Sequence, residues 1–323
     1  MKTERSFVVI AAMFAAWTVA GAAAAQSFPS RPVRLVVPFA AGGTIDIISR
    51  LLAPPLTKAL GQNVLVDDRP GGGTAVGTVL VAQSPPDGHT LLMIGPSFTI
   101  NLYARDKLPY DTVRDFTGVA RLAANPLLIS VHPSVPAKTP AALIALARSR
   151  PGELTYATAS PTGSQRLAGE KFRAMAKIDI LNVPYSGGAP AAVAVMGGHT
   201  TILLGNVSEA APFVASGKLR AIAVTSLERS DVMKEVPTLH ESGLAGYEVI
   251  NWFGAVTRSS APAAAIERMS AELARALEFP EVKDRLTKLG LSAATLNVDR
   301  FNAFLKAEMQ SNEKIVRAAN IRM

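Results

Sequence analysis

The chain of 323 residues carries 33 Lys+Arg against 25 Asp+Glu and contains no cysteine, which excludes disulfides, thiolate metal sites and a cysteine nucleophile. Its formal net charge of +8 is dispersed. No Lys/Arg run or basic stripe with interleaved aromatics marks a nucleic-acid surface, so the excess suits solubility and an anionic small ligand.

Lys2 and Arg5 open the chain, Phe7 to Ala20 is almost wholly apolar and uncharged, and Ala23-Ala24-Ala25 precedes Gln26. That order predicts a cleavable export signal over residues 1–25, its apolar core short of the ~20 residues a membrane-spanning helix needs. The exported chain would start at Gln26 and has no cysteine to lipidate, so it is expected free in the periplasm. Lys2, Arg5 and Glu4 give the leader a net +1, leaving +7 on the exported part.

The first unit after the leader runs from Val33 to Leu60. Val33, Leu35, Val36 and Val37 form an apolar run stopped by Pro38; Gly42-Gly43-Thr44 follows; then Ile45, Ile48, Leu51, Leu52 and Leu56 recur at helical spacing. Strand, glycine turn and helix are predicted, with Thr44 as N-cap and Asp46 in the first turn. The unpaired N–H groups at such a helix start can hold an anion without a charged side chain, although an ordinary strand–helix connection reads the same way.

Val64–Val66 reads as a strand, and Asp67-Asp68-Arg69-Pro70-Gly71-Gly72-Gly73-Thr74 as a turn before a helix. The dinucleotide fingerprint G-x-G-x-x-G fails because Val76 stands where its third glycine belongs, and no Lys-Ser/Thr pair completes a Walker loop. Strands follow at 90–94, 127–131, 154–158, 179–183, 201–204, 219–224 and 252–257, with helices between most of them. A second glycine–hydroxyl loop, Ser160-Pro161-Thr162-Gly163-Ser164-Gln165, leads into a helix carrying Leu167, Ala168, Phe172 and Met175. Amphipathic helices close the chain, the last with Asp299 as N-cap. Such alternation predicts an α/β fold of parallel sheets with helices on both faces, where ligands sit between strand C-termini and helix N-termini. His132-Pro133-Ser134-Val135-Pro136 echoes Arg258-Ser259-Ser260-Ala261-Pro262, as two similar domains would.

Several stretches together resemble the extracytoplasmic solute receptors of the tripartite tricarboxylate transporters, the Bug family. They include PFAAGGTIDIISRLL (38–52), DDRPGGGTAVG (67–77), SPPDGHTLLM (84–93), LPYDTVRDF (108–116) and VHPSVPAKTPAALIALA (131–147). GSQRLAGEKF (163–172), VPYSGGAPA (183–191), LRAIAVTSLERS (219–230), VPTLHESGLAGYEV (236–249) and WFGAVTRSSAP (252–262) complete the ordered set. The resemblance implies a two-lobed, type II-like Venus flytrap of the periplasmic binding proteins, each lobe a mostly parallel sheet flanked by helices. It implies lobe 1 over 28–124 plus 228–323, lobe 2 over 125–227, and crossings near Leu122–Pro126 and Ala223–Leu227. It also implies a carboxylate held by backbone amides, hydroxyls and waters without an arginine clamp. Carried over by motif, the first loop supplies Phe39, Ala40, Gly42, Gly43, Thr44 and Asp46, and the second Ser160, Thr162, Gly163, Ser164 and Gln165. Tyr185, Gly187 and Gly188, with Ser97 and Asn206, line the remaining wall.

Three departures stand out. Pro54-Pro55 inside the first helix should kink or stop it near Ala53. Thr201 replaces an Asp usual in the family, and Gly205-Asn206 stands where relatives often carry an acid able to meet a ligand amine; both favour a plain carboxylate. The expected role is a monomeric periplasmic receptor that delivers an organic acid to inner-membrane transporter subunits, with no cofactor, metal or nucleic acid. A secreted sensor acting on a membrane kinase would use the same fold. A hydrolase built on Ser164 fits less well: G-x-S-x-G needs glycine where Arg166 stands, and His89, His132, His199 and His240 sit in turn-like contexts without metal spacing. Asp46 reads as a loop brace before a general base, Asp67-Asp68 as a solvated turn before a cation site, and Trp252 equally as a cleft aromatic or a hinge residue.

Overall fold

Alternation within the first strand, β1 (Val33–Val37), sets the first half of the molecule. In the computed structural model, which describes residues 28–105, 107–318 and 321, Val33, Leu35 and Val37 face one core while Val36 faces another. The expected leader, 1–25, lies outside the described residues. On one face of β1 pack Ile45, Ile48 and Leu52 of α1 (Thr44–Leu60) and Leu273 and Leu277 of α8 (Ala263–Glu278). On the other pack Phe98 of α3 (Ser97–Ala104) and Phe301 and Leu305 of α10 (Val298–Ala318). This two-residue period is what a strand buried on both faces requires. Each such side chain taken out of water contributes about 1.5–3 kcal/mol.

β1, β2 (Val64–Asp68) and β3 (Thr90–Ile94) are parallel. β9 (Ile250–Arg258) adds to β3 antiparallel, β4 (Phe116–Val131) adds to β9 antiparallel, and β10 (Ser292–Leu296) pairs with β4. The second sheet has a parallel set, β5 (Thr155–Thr158), β6 (Leu181–Pro184) and β7 (Ile202–Asn206). β7 and β8 (Arg220–Val224) each run antiparallel to β4. Both sheets are therefore mixed, parallel in the strand–helix units and antiparallel where the chain crosses between lobes.

β4 is the link. Its residues 116–126 pair with β9, and its residues 127–131 pair with β7 and β8. Leu127, Ile129 and Val131 face Leu143 of α4 (Pro140–Ser149) and Phe172 of α5 (Ser164–Ala176). Leu128 faces Ala191 and Val195 of α6 (Gly188–Met196) and Val207 of α7 (Val207–Ala215). The remaining helices are α2 (Ala75–Ala82) and α9 (Pro280–Lys288). Among the described residues no helix is long and apolar enough to cross a membrane.

Residues 228–249, expected in the first lobe, pack on the second core. Leu239 and Tyr247 are fully buried beside Leu127, and Val249 N donates to Thr225 O at 2.9 Å. The chain rejoins the first sheet only at β9, where Ile250 pairs with Pro126 and Asn251 with Asn125. The stretch has no regular helix or strand, so no periodicity announced which core it joins.

Three local expectations are corrected. α1 runs through Pro54-Pro55 to Leu60, because Leu52, Leu56 and Leu60 on either side are anchored in the core while Pro54 faces solvent. Gly43, not Thr44, is its N-cap residue. At α10, Asp299 lies in the first turn, and Asn297 Oδ1 accepts from Arg300 N at 3.1 Å, which is the capping bond.

Candidate ligand chamber between the lobes

The C-terminal ends of β1, β3, β5, β6 and β7 all lead into helices whose N-termini converge on one small chamber of about 40 Å³. Gly43 and Thr44 of α1, Pro96 and Ser97 of α3, Gly163, Ser164 and Gln165 of α5, Gly188 of α6 and Asn206 of α7 line it. Each helix start leaves N–H groups without intrahelical partners and concentrates roughly half a positive charge; no Lys or Arg lines the chamber, and Glu209 does.

The first loop is shaped by Asp46. Its Oδ2 accepts from Gly42 N at 2.8 Å, and its Oδ1 meets Arg50 Nε at 2.7 Å. Gly42 sits at φ +81°, a conformation that glycine takes without steric cost, and this bond pins the turn. Asp46 therefore braces the loop from behind and does not line the chamber. The second loop needs glycine at 163, where φ is +130° and an added Cβ would lie 2.9 Å from Ser97 Oγ. Ser97 Oγ donates to Thr162 O at 2.9 Å, and Thr162 Oγ1 donates to Asn101 Oδ1 at 2.5 Å.

One chain of hydrogen bonds threads both loops. Ser164 Oγ donates to Asn251 Oδ1 at 2.7 Å, and Asn251 Nδ2 donates to Asn206 Oδ1 at 2.8 Å. Asn206 Nδ2 donates to Glu209 Oε1 at 3.0 Å, and Asn206 N to Glu209 Oε2 at 3.2 Å. Glu209 Oε1 also accepts from Thr44 N at 3.0 Å and Thr44 Oγ1 at 2.9 Å, while Thr44 Oγ1 shares a 2.6 Å contact with Ser208 Oγ. Every member is buried, so each bond replaces water the group has lost.

Of the residues named from sequence, Phe39, Gly43, Thr44, Ser97, Gly163, Ser164, Gln165, Gly188 and Asn206 meet in this chamber. Ser160 and Tyr185 line a neighbouring cavity of about 190 Å³, which shares Phe39 and Ala159 with the chamber and is floored by Gly71, Gly72 and Gly73. Ala40 and Gly187 lie against each other outside the chamber lining, with Ala40 N donating to Ser186 O at 3.0 Å. Thr162 faces Asn101, and Gly42 faces Asp46. A larger groove of about 1030 Å³ runs alongside between α5 and α10 and shares Pro96 and Ser164 with the chamber. Its walls carry opposed charges, Lys171, Arg173 and Lys314 against Glu170, Glu248 and Glu308, whereas the helix starts converge in the smaller space.

Sequence reasoning missed Glu209, Asn251 and Asn101. It also left the wall at Gly205-Asn206 without an acid, and Glu209 supplies one three residues on. The Asn206-x-x-Glu209 spacing of a capping box was the available signal; Asn251 had none, because it arrives from a strand far along the chain. Arg166 is bound elsewhere: its Nη2 pairs with Glu170 Oε1 at 2.9 Å, and Tyr156 Oη donates to the same oxygen at 2.9 Å. Burial pushes the Tyr156 phenol far above its ordinary range, so it stays neutral. Trp252 packs against Phe301 and Phe304 in the first lobe's core. Thr201 exchanges bonds with Thr155, away from the chamber. Among the described residues no group of three or more His, Cys, Asp or Glu could hold a metal ion.

Comparison with known proteins places these features in a family. A family model described as the tripartite tricarboxylate transporter family receptor matches residues 48–321. Protein BugT of Bordetella pertussis is 29% identical over 325 aligned positions, covering 100% of this chain and 100% of that one. A protein of R. palustris solved with adipate superposes with a TM-score of 0.88 at 31% identity, over 91% of this chain and 99% of that one. MatC from Rhodopseudomonas palustris, with bound malate, gives 0.82 at 30% identity, over 90% and 100%.

Proposed function

The chain belongs to the tripartite tricarboxylate transporter receptor family, and on that premise we propose that it captures a small organic carboxylate between its lobes in the periplasm and delivers it to membrane transporter subunits. The observation that carries this reading is the convergence of five helix N-termini on one buried chamber, joined by the bonds from Ser164 to Thr44. A carboxylate there meets oriented N–H groups at no cost of reorganisation, with hydroxyls and waters completing its shell. The similar proteins solved with adipate and malate support the ligand class.

The ligand leaves chemically unchanged. Ser164 Oγ donates to an asparagine carbonyl, and an amide oxygen does not take up a proton as a general base does. Delivery works by closure of two lobes, residues 28–125 with 250–321 against residues 126–249. A chamber of about 40 Å³ is far below the 300–1,000 Å³ of ordinary ligand pockets, so entry requires the lobes to part. One copy of the chain supplies every wall.

A thermal-shift panel of organic acids tests the reading, since a ligand that binds only the folded state raises the melting temperature. Calorimetry on any hit should give a dissociation constant around micromolar, about −8 kcal/mol. Recovery of a new product after incubation, or a panel without any stabilising acid, would sink it.

A further inference from the structure

Within the chamber, the anion position at the start of α1 is already taken by a side chain of this protein. Glu209 Oε1 receives Thr44 N at 3.0 Å, Thr44 Oγ1 at 2.9 Å and Asn206 Nδ2 at 3.0 Å. The two from Thr44 are the donors the first loop would offer a ligand carboxylate. The neighbouring backbone is cut to fit this group: a Cβ on Gly188 would lie 2.1 Å from Glu209 Cδ and 2.2 Å from Oε2. Glu209 is also held from its own side, because Oε2 accepts from Asn206 N at 3.2 Å at the start of α7. Its named partners are amides and hydroxyls, with no Lys or Arg among them, so its negative charge is balanced by helix starts alone.

A ligand entering this chamber therefore meets two unlike ends. At the second loop, the first N–H groups of α5 after Gly163 point out of the helix and can take a carboxylate. At the first loop it meets a buried carboxylate whose Oε1 already accepts three bonds and whose Oε2 accepts one. A second ligand carboxylate there would face a like charge in a space with little water to screen it, and would have to compete for Thr44. A neutral end would not, and an end carrying an N–H or O–H could use the remaining capacity of Oε2.

Resting on the carboxylate-receptor reading above, we infer that Glu209 is the specificity-determining residue: it acts as a tethered anion at the first loop and restricts the receptor to acids bearing one carboxylate, seated at the second loop, whose other end is neutral or donates a hydrogen bond. The residue that excludes dicarboxylates is Glu209.

The test is titration calorimetry with chain-matched pairs, butanoate against succinate and hexanoate against adipate, on the wild type, Glu209→Gln and Glu209→Ala. The expected result is a preference of at least tenfold for the monoacid in the wild type, falling to within threefold in both variants. The wild-type ratio needs no variant, so it decides even if a substitution impairs folding. A wild type that binds the diacid as tightly as its matched monoacid overturns the inference, as does a preference that persists in both variants; either result leaves the carboxylate-receptor reading standing. Absence of binding by every acid to all three proteins overturns that reading, and this one with it.

Discussion

Thr44 and Glu209, 165 positions apart in sequence, share two hydrogen bonds across the lobes: Thr44 N and Thr44 Oγ1 both donate to Glu209 Oε1, at 3.0 and 2.9 Å. A carboxylate on α7 thereby caps α1 of the other lobe. Ser97 with Thr162 O, Thr162 with Asn101 and Ala40 with Ser186 O add further direct bonds between the lobes. Polar groups of the two lobes thus bond directly to one another.

Removing the Thr44 hydroxyl should loosen that contact. Thr44→Val keeps the backbone donor and the shape but loses the bonds to Glu209 and Ser208, and a hydrogen bond to a charged group is worth about 1.5–3 kcal/mol. Small-angle scattering should show a larger radius of gyration for this variant than for the wild type. It should also show the wild type contracting when saturated with an acid that the thermal-shift panel identifies. An unchanged radius across all of these states would argue against lobe closure.

Affinity should depend on the second loop and little on the arginine beside it. Ser164→Ala deprives buried Asn251 Oδ1 of its 2.7 Å partner and should weaken acid binding by roughly 0.5–3 kcal/mol. Gly43 has room for a Cβ, 3.8 Å from Glu209 Oε1 and 3.9 Å from Gly188 N, but for little more. Gly43→Val should therefore cost more than Ser164→Ala, by about tenfold in affinity or about 1.4 kcal/mol beyond it. Arg166→Ala removes a bridge to Glu170 outside the chamber and should leave affinity within a few-fold. Calorimetry on the three variants decides, and loss of binding only in Arg166→Ala would reveal an arginine clamp.

Acid stability offers an independent check at Glu308. Burial pushes its carboxyl above the ordinary range, against the opposing bond from Trp252 Nε1 at 2.9 Å and the Arg121 charge. With the folded value above the unfolded one, its contribution is full below the ordinary carboxylate range and is lost as pH rises through the raised value. Glu308→Gln still accepts from Trp252 but cannot ionise, so it should gain on the wild type between pH 4 and pH 7. Urea unfolding followed by Trp252 fluorescence across that range measures it. A variant that instead loses ground toward pH 7 would contradict the assignment.

The apolar run ended by Pro38 announced β1, and helical spacing from Ile45 to Leu56 announced α1, because each pattern is local. The same local logic failed at Pro54-Pro55, where propensity pointed to a break and buried Leu52 and Leu56 kept the helix whole. Over 228–249 irregular chain carries no period; the family resemblance put it in the first lobe, and Leu239 and Tyr247 buried in the second core show where it packs.

The chamber divides in the same way. Gly42-Gly43-Thr44 and Gly163-Ser164 were legible as helix starts suited to anions, since glycine, hydroxyl and helix onset are adjacent in the chain. The groups that join them were not: Ser164 reaches Asn251 across 87 positions and Thr44 reaches Glu209 across 165. Such bonds exist only once β4 has carried the chain from one sheet into the other and set the two rows of helix N-termini face to face. Local sequence thus determined that this protein presents glycine–hydroxyl helix starts, because capping chemistry is written within a few residues. Tertiary structure alone decided that one of those starts is filled by the protein's own carboxylate, because the meeting of distant side chains depends on the packing of the two lobes.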